Sequence, residues 1–103
     1  MSAGYIVFSH GQDGEPWGGK IVAMAEVARG HGLTVESVDY RGMDDPAVRV
    51  RRLLEVCKDL PGRLVLVGSS LGAHVCMTAA GQLPVRGVFV LAPAFFIDRK
   101  SVV

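Results

Sequence analysis

The sequence predicts an α/β fold, three layers deep, with helices on both faces of a mostly parallel four-stranded sheet. Three observations carry this. Short apolar runs at residues 5–8, 35–40, 64–67 and 88–91 alternate with three segments of helical periodicity. Glycine, proline or aspartate stands at nearly every junction. Strands separated by single helices pair in parallel through right-handed crossovers, which puts helices over both sides of the sheet. At 103 residues the chain has room for one small domain, 1–103.

The first run, Tyr5-Ile6-Val7-Phe8, is β-branched and aromatic and gives way to polar and glycine residues, as a buried strand does. Within residues 20–29, Ile21, Met24, Ala25 and Ala28 recur at helical spacing, and Gly30 and Gly32 end the segment. The second strand, 35–40, carries Glu36, Ser37 and Asp39, so a less buried position is expected. Asp45 then Pro46 is a helix start, an N-cap followed by proline at the first helical position. Val50, Leu53, Leu54 and Cys57 continue that helix, and Pro61-Gly62 stops it. Arg49, Arg51 and Arg52 are expected on its outer, solvated part. The third strand is 64–67. The helix after it, 71–82, is apolar almost all round and rich in small residues such as Ala73, Ala79 and Ala80, which suits close packing on a sheet. The fourth strand, 88–91, ends at Ala92-Pro93.

Composition excludes several functions. Half the residues are hydrophobic and the net charge is +1 with its charges dispersed, which speaks for neither nucleic acid nor an anionic membrane surface. The apolar runs are far shorter than the roughly 20 residues that span a bilayer. No basic-then-apolar leader precedes the first strand, so a cytoplasmic setting is expected. Cys57 and Cys76 have neither CxxC spacing nor metal-ligating neighbours and are expected to be buried reduced thiols. Nothing implies a cofactor or a metal. Gly11 and Gly14 fall short of G-x-G-x-x-G, and no Lys-Ser/Thr follows Gly72, so the phosphate-loop readings fail.

The chemistry-bearing feature is Gly68-Ser69-Ser70-Leu71-Gly72, directly after the third strand and opening the third helix. A G-x-S-x-G turn between strand and helix lifts a serine hydroxyl above the sheet edge, beside the unpaired N–H groups of a helix N-terminus. The two glycines let strand and helix approach without collision. Ser70 is therefore the candidate nucleophile; the bland alternative is a turn serine that caps the helix. The first strand ends in Ser9-His10-Gly11-Gln12-Asp13-Gly14, a second glycine-bearing loop. If strands one and three are neighbours, both loops face one crevice, the usual ligand site of an open α/β sheet.

Taken together, His10-Gly11, the Ser70 motif and, more weakly, Ala92-Pro93-Ala94 resemble the α/β-hydrolase family, in particular its small bacterial members, over almost the whole chain. The resemblance implies a sheet order of second, first, third and fourth strand. It implies an esterase-like acyl transfer on a small-molecule ester, with Ser70 as nucleophile and the N–H groups of Leu71 and Gln12 stabilising the oxyanion. It also implies that His10, Gly11 and Trp17 contact substrate; Trp17 anchoring its loop on the sheet is the alternative.

The chain departs from the family pattern at its end. The family's catalytic histidine and, in most members, its acid lie further on, so the chain resembles the front half of a hydrolase. His10 is a candidate base, though in the family this histidine usually shapes its loop. His74 is expected to be a helix-face residue and His31 a surface turn residue. Asp98 is the one acid after the fourth strand, and Asp13 and Glu15 are expected to be solvated. Two functions remain open: a serine hydrolase whose base and acid come from elsewhere, or a non-catalytic binding or assembly domain. The fourth strand would be an open apolar edge beside residues 94–97 and 102–103, so self-association or docking with a complementing C-terminal half is expected.

Overall fold

Strand and helix alternate without exception through β1 (Tyr5–Ser9), α1 (Gly19–Gly30), β2 (Thr34–Val38), α2 (Pro46–Cys57), β3 (Leu64–Ser70), α3 (Leu71–Ala80) and β4 (Gly87–Pro93). This computed structural model describes residues 4–60 and 63–93. The four strands form one sheet in the order β2-β1-β3-β4, and every pairing is parallel. The chain therefore starts in the middle of the sheet, winds outward through β2, then crosses back to β3 and β4. Strand order reverses between β1 and β3, so the loops leaving these two strands diverge and open a crevice.

Local sequence explains the element boundaries. Asp45 accepts a hydrogen bond from the Ala47 N–H at 2.9 Å, and Pro46 fills the first helical position, where no N–H is required. Gly81 and Gln82 leave α3 by turning their N–H groups back to Thr78 and Ala79, which ends the helix two residues earlier than the periodicity suggests. β2 also stops early, at Val38. The Asp39 carboxylate takes the Arg41 N–H at 3.0 Å, and the Tyr40 N–H is drawn to the His10 ring rather than to a neighbouring strand. β3 runs longer than the apolar pattern, because Gly68 and Ser69 keep pairing with Val90 and Leu91. Residues 61–62, expected to stop α2, and Ala94 and Asp98 lie outside the described residues.

Alternation along the strands divides the core between two faces. On one, Val7, Val38, Leu64 and Leu66 meet Val50, Leu53 and Cys57 of α2 and Val75, Cys76 and Ala79 of α3. On the other, Phe8 and Val67 meet Ile21 and Ala25 of α1. Each fully buried Leu, Val or Phe contributes about 1.5–3 kcal/mol relative to exposure, so these two clusters hold the helices to the sheet. The cysteines are free thiols buried in the first cluster, and burial pushes both up to about 11.

The second face is incompletely covered. On it Phe89 of the edge strand β4 is 62% exposed, and its neighbour Val90, which alternation turns to the first face, is 37% exposed. β2, the other edge, presents Glu36 to solvent.

One expectation is overturned. Arg51 and Arg52 are exposed, but Arg49 is only 1% exposed. It lies one turn before Leu53, so its side chain projects from the buried stripe of α2. Residue type suggested a solvated face; helical phase decided otherwise.

Candidate functional site

Ser70 stands at the junction of β3 and α3 with φ 56° and ψ −121°, the one non-glycine residue of positive φ among the described residues. Such a conformation costs of order 1–3 kcal/mol and persists only where the surroundings impose it. The imposition is visible. A Cβ on Gly72 would collide with the Ser9 carbonyl oxygen and lie 2.6 Å from Ser9 C and 2.7 Å from His10 O. A Cβ on Gly68 would collide with the Gly72 carbonyl oxygen and lie 2.7 Å from the Ala73 Cα. Both glycines are thus required for α3 to start directly against the ends of β1 and β3, and the single residue between strand and helix must make a sharp turn. A register shift at Ser69/Ser70 marks that turn in the β3–β4 ladder.

The Ser70 side chain makes no capping hydrogen bond to α3, so the hydroxyl is not consumed in holding the helix end. The Leu71 N–H is the first of the helix and has no carbonyl one turn earlier to bond.

The loop after β1 packs on this serine. A Cβ on Gly11 would lie 3.2 Å from Ser70 Cβ and 3.8 Å from Ser70 Oγ, so a side chain there would crowd the hydroxyl. Gly14 N–H donates to Gly11 O at 3.2 Å, closing a tight turn. The loop is tied to β2 by the Ser37 hydroxyl, which donates to Pro16 O.

His10 is 2% exposed, and both of its ring nitrogens are engaged. The Tyr40 N–H donates to Nε2 at 2.8 Å, so Nε2 carries no proton. Nδ1 must then hold the proton and donate it to Gly11 O at 2.7 Å. Burial holds the ring below the usual histidine range, with the Arg49 charge acting the same way against the opposing Gly11 bond. His10 is therefore a neutral structural imidazole whose lone pair is already used, and it cannot take a proton from Ser70 without losing the Tyr40 bond. The Tyr40 ring packs beside it at 5.3 Å, and the Tyr40 hydroxyl pairs with Ser9 Oγ at 2.7 Å. Burial raises the Tyr40 phenol well above its ordinary range, so it remains protonated.

Sequence reasoning missed the role of Arg49. Its Nε donates to Met43 O at 2.7 Å, and its Nη1 donates to His10 O at 3.1 Å and more weakly to Gly11 O at 3.4 Å. The guanidinium also lies 5.1 Å from the Tyr40 ring centre. The signal that could have found it was its spacing of four from Leu53, which puts both on one helix face.

A cavity of about 240 Å³ opens beside the loop. Its lining includes His10, Gly11 and Ser69, the apolar Ile21, Met24 and Leu91, and Glu15 and Lys20, but not Ser70, Leu71 or Gln12. Trp17 is not among its lining residues. Its ring stands 42% exposed with the Arg29 guanidinium 5.6 Å from its centre, which places it on the loop's outer side near α1. His31 caps the far end of α1, away from the Ser70 edge, and His74 is exposed on α3. Among the described residues, no cluster of His, Cys, Asp or Glu could hold a metal ion.

This geometry agrees with what the chain is similar to. Residues 6–101 match the model of the Alpha/beta hydrolase family. The chain belongs to the α/β-hydrolase family. A crystal structure of a protein from Xanthomonas campestris pv. campestris, assigned as a hydrolase of the α/β superfamily, superposes with a TM-score of 0.81 at 33% sequence identity. The match covers 90% of this chain and 59% of that one, so this α/β-hydrolase chain spans little more than half the length of its structural relative. No curated protein matches it. No helix among the described residues is long and apolar enough to cross a membrane.

Proposed function

We propose that this chain carries the nucleophile and oxyanion half of a serine hydrolase that cleaves small acyl esters. The observation that supports it most is the forced turn at Ser70, φ 56°, whose hydroxyl caps nothing and adjoins the Gly11 loop. In this reading the Ser70 oxygen attacks the acyl carbonyl, and the Leu71 and Gln12 N–H groups receive the negative charge that develops on the carbonyl oxygen. One such donor accounts for about 3 kcal/mol of barrier, roughly a hundredfold or more in rate. Gly11 leaves room for the acyl carbon next to Ser70, and the neighbouring apolar cavity has the volume for a small acyl or alcohol group.

A serine needs an oriented base to react at neutral pH. The hydrogen bonds of His10 remove it as that base. In the proposed mechanism base and acid come from a complementing C-terminal half, in keeping with the partial coverage of the Xanthomonas relative. The test supplies the base chemically. A fluorophosphonate probe with imidazole as external base should label Ser70, seen by intact mass and peptide mapping, and Ser70→Ala should abolish the label. A folded chain that stays unlabelled under these conditions refutes the reading.

The competing reading is a non-catalytic assembly domain on the same fold, favoured by the open apolar edge at Phe89 and Val90. Site-specific labelling of Ser70 would exclude it.

A further inference from the structure

We propose that Arg49 is a positioning residue that sets the orientation of the two peptide groups supplying the oxyanion loop. This rests on the acyl-transfer reading above and goes beyond it by naming what aims the Gln12 donor.

Arg49 is a buried cation whose hydrogen-bond partners are carbonyl oxygens, of Met43, His10 and Gly11. Neither ion pair among the described residues involves it. A charge held this deep without a carboxylate costs stability, and a Leu or Met would fill the same place on α2 more cheaply. What the guanidinium adds is direction. His10 O and Gly11 O belong to the peptides whose nitrogens are those of Gly11 and Gln12. All described peptides are trans, so in each the N–H points opposite to the C=O. Drawing both carbonyls inward onto one guanidinium turns the Gly11 and Gln12 N–H groups outward, on the side away from Arg49.

Gly11 O is further fixed by the His10 Nδ1–H and the Gly14 N–H, so this peptide cannot rotate without breaking three bonds. The Gln12 N–H itself bonds to nothing among the described residues and is free for a ligand. The positive charge on the carbonyl side also polarises both peptides, making their N–H groups stronger donors. Arginine suits the task because its rigid fork reaches separate carbonyls from one side chain, whereas lysine is a single point charge.

The test compares the full chain with Arg49→Met and Arg49→Lys. The first readout is the N–H residual dipolar couplings of Gly11 and Gln12 in weakly aligned samples. In Arg49→Met these two couplings should change while those of Val7 and Leu53 stay, and Arg49→Lys should give a smaller change. The second readout is the imidazole-assisted labelling rate of Ser70, expected to fall at least tenfold in Arg49→Met and to recover in part in Arg49→Lys. Unchanged couplings with an unchanged labelling rate would reduce Arg49 to a staple between α2 and the loop and overturn the proposal. If the wild-type chain is not labelled at all, the acyl-transfer reading fails, while the couplings still decide whether Arg49 aims these peptides. Should Arg49→Met not fold, Arg49→Lys decides by the same couplings.

Discussion

Gly72→Ala should be far more damaging than an alanine in a helix ordinarily is. The added methyl would meet the Ser9 carbonyl oxygen, with Ser9 C at 2.6 Å and His10 O at 2.7 Å, against an ordinary contact of 3.4 Å. Every obstructing atom is backbone, so none can swing aside, and α3 must withdraw from β1 by about 1 Å or more, since the Ser9 oxygen is nearer than its carbon. Overpacking of this kind costs about 1–3 kcal/mol and more where backbone must move. The helix-propensity gain of alanine over glycine offsets up to about 1 kcal/mol. A net loss of about 2 kcal/mol is expected, which for a domain of this size lowers Tm by about 10 °C. The control is Gly81→Ala, where the new methyl meets only Thr78 O at 3.6 Å and φ is −70°, so stability should stay level or rise slightly. Urea titration followed by far-UV circular dichroism measures both. Equal stability of the two variants would refute the account of why α3 begins where it does.

Three further outcomes follow from the same geometry. Ser70→Gly relieves the positive φ and should stabilise the fold by about 1 kcal/mol after glycine's own entropy cost, while abolishing phosphonylation; a destabilised variant in urea titration would contradict the strain. His10 is held below its ordinary value of 6.5, so the unfolded chain takes up its proton more readily than the folded one. The stability this contributes is present in full above pH 6.5 and is lost as pH falls below it toward the folded value; urea midpoints at pH 7.5 and 5.5 should differ, and His10→Gln should narrow the difference. Phe89→Lys should leave stability within about 0.5 kcal/mol and suppress self-association in sedimentation velocity; a wild-type chain that stays monomeric at high concentration would remove the argument from the exposed edge.

The sequence determined those features that depend on near neighbours. Apolar periodicity located all seven elements, because a strand or an amphipathic helix is written in residues two to four positions apart. Asp45-Pro46 marked the start of α2, and the glycine pair around Ser70 announced the forced turn, since both follow from backbone sterics within a few residues. Tertiary structure alone decided the roles of His10 and Arg49. The imidazole is neutralised as a base by an N–H 30 residues away, and the guanidinium reaches carbonyls 38 and 39 residues away. No local pattern encodes such partners. They meet because β2 returns to the side of β1 and α2 packs back across it, which brings the end of β2, the start of α2 and the first loop to one corner of the sheet.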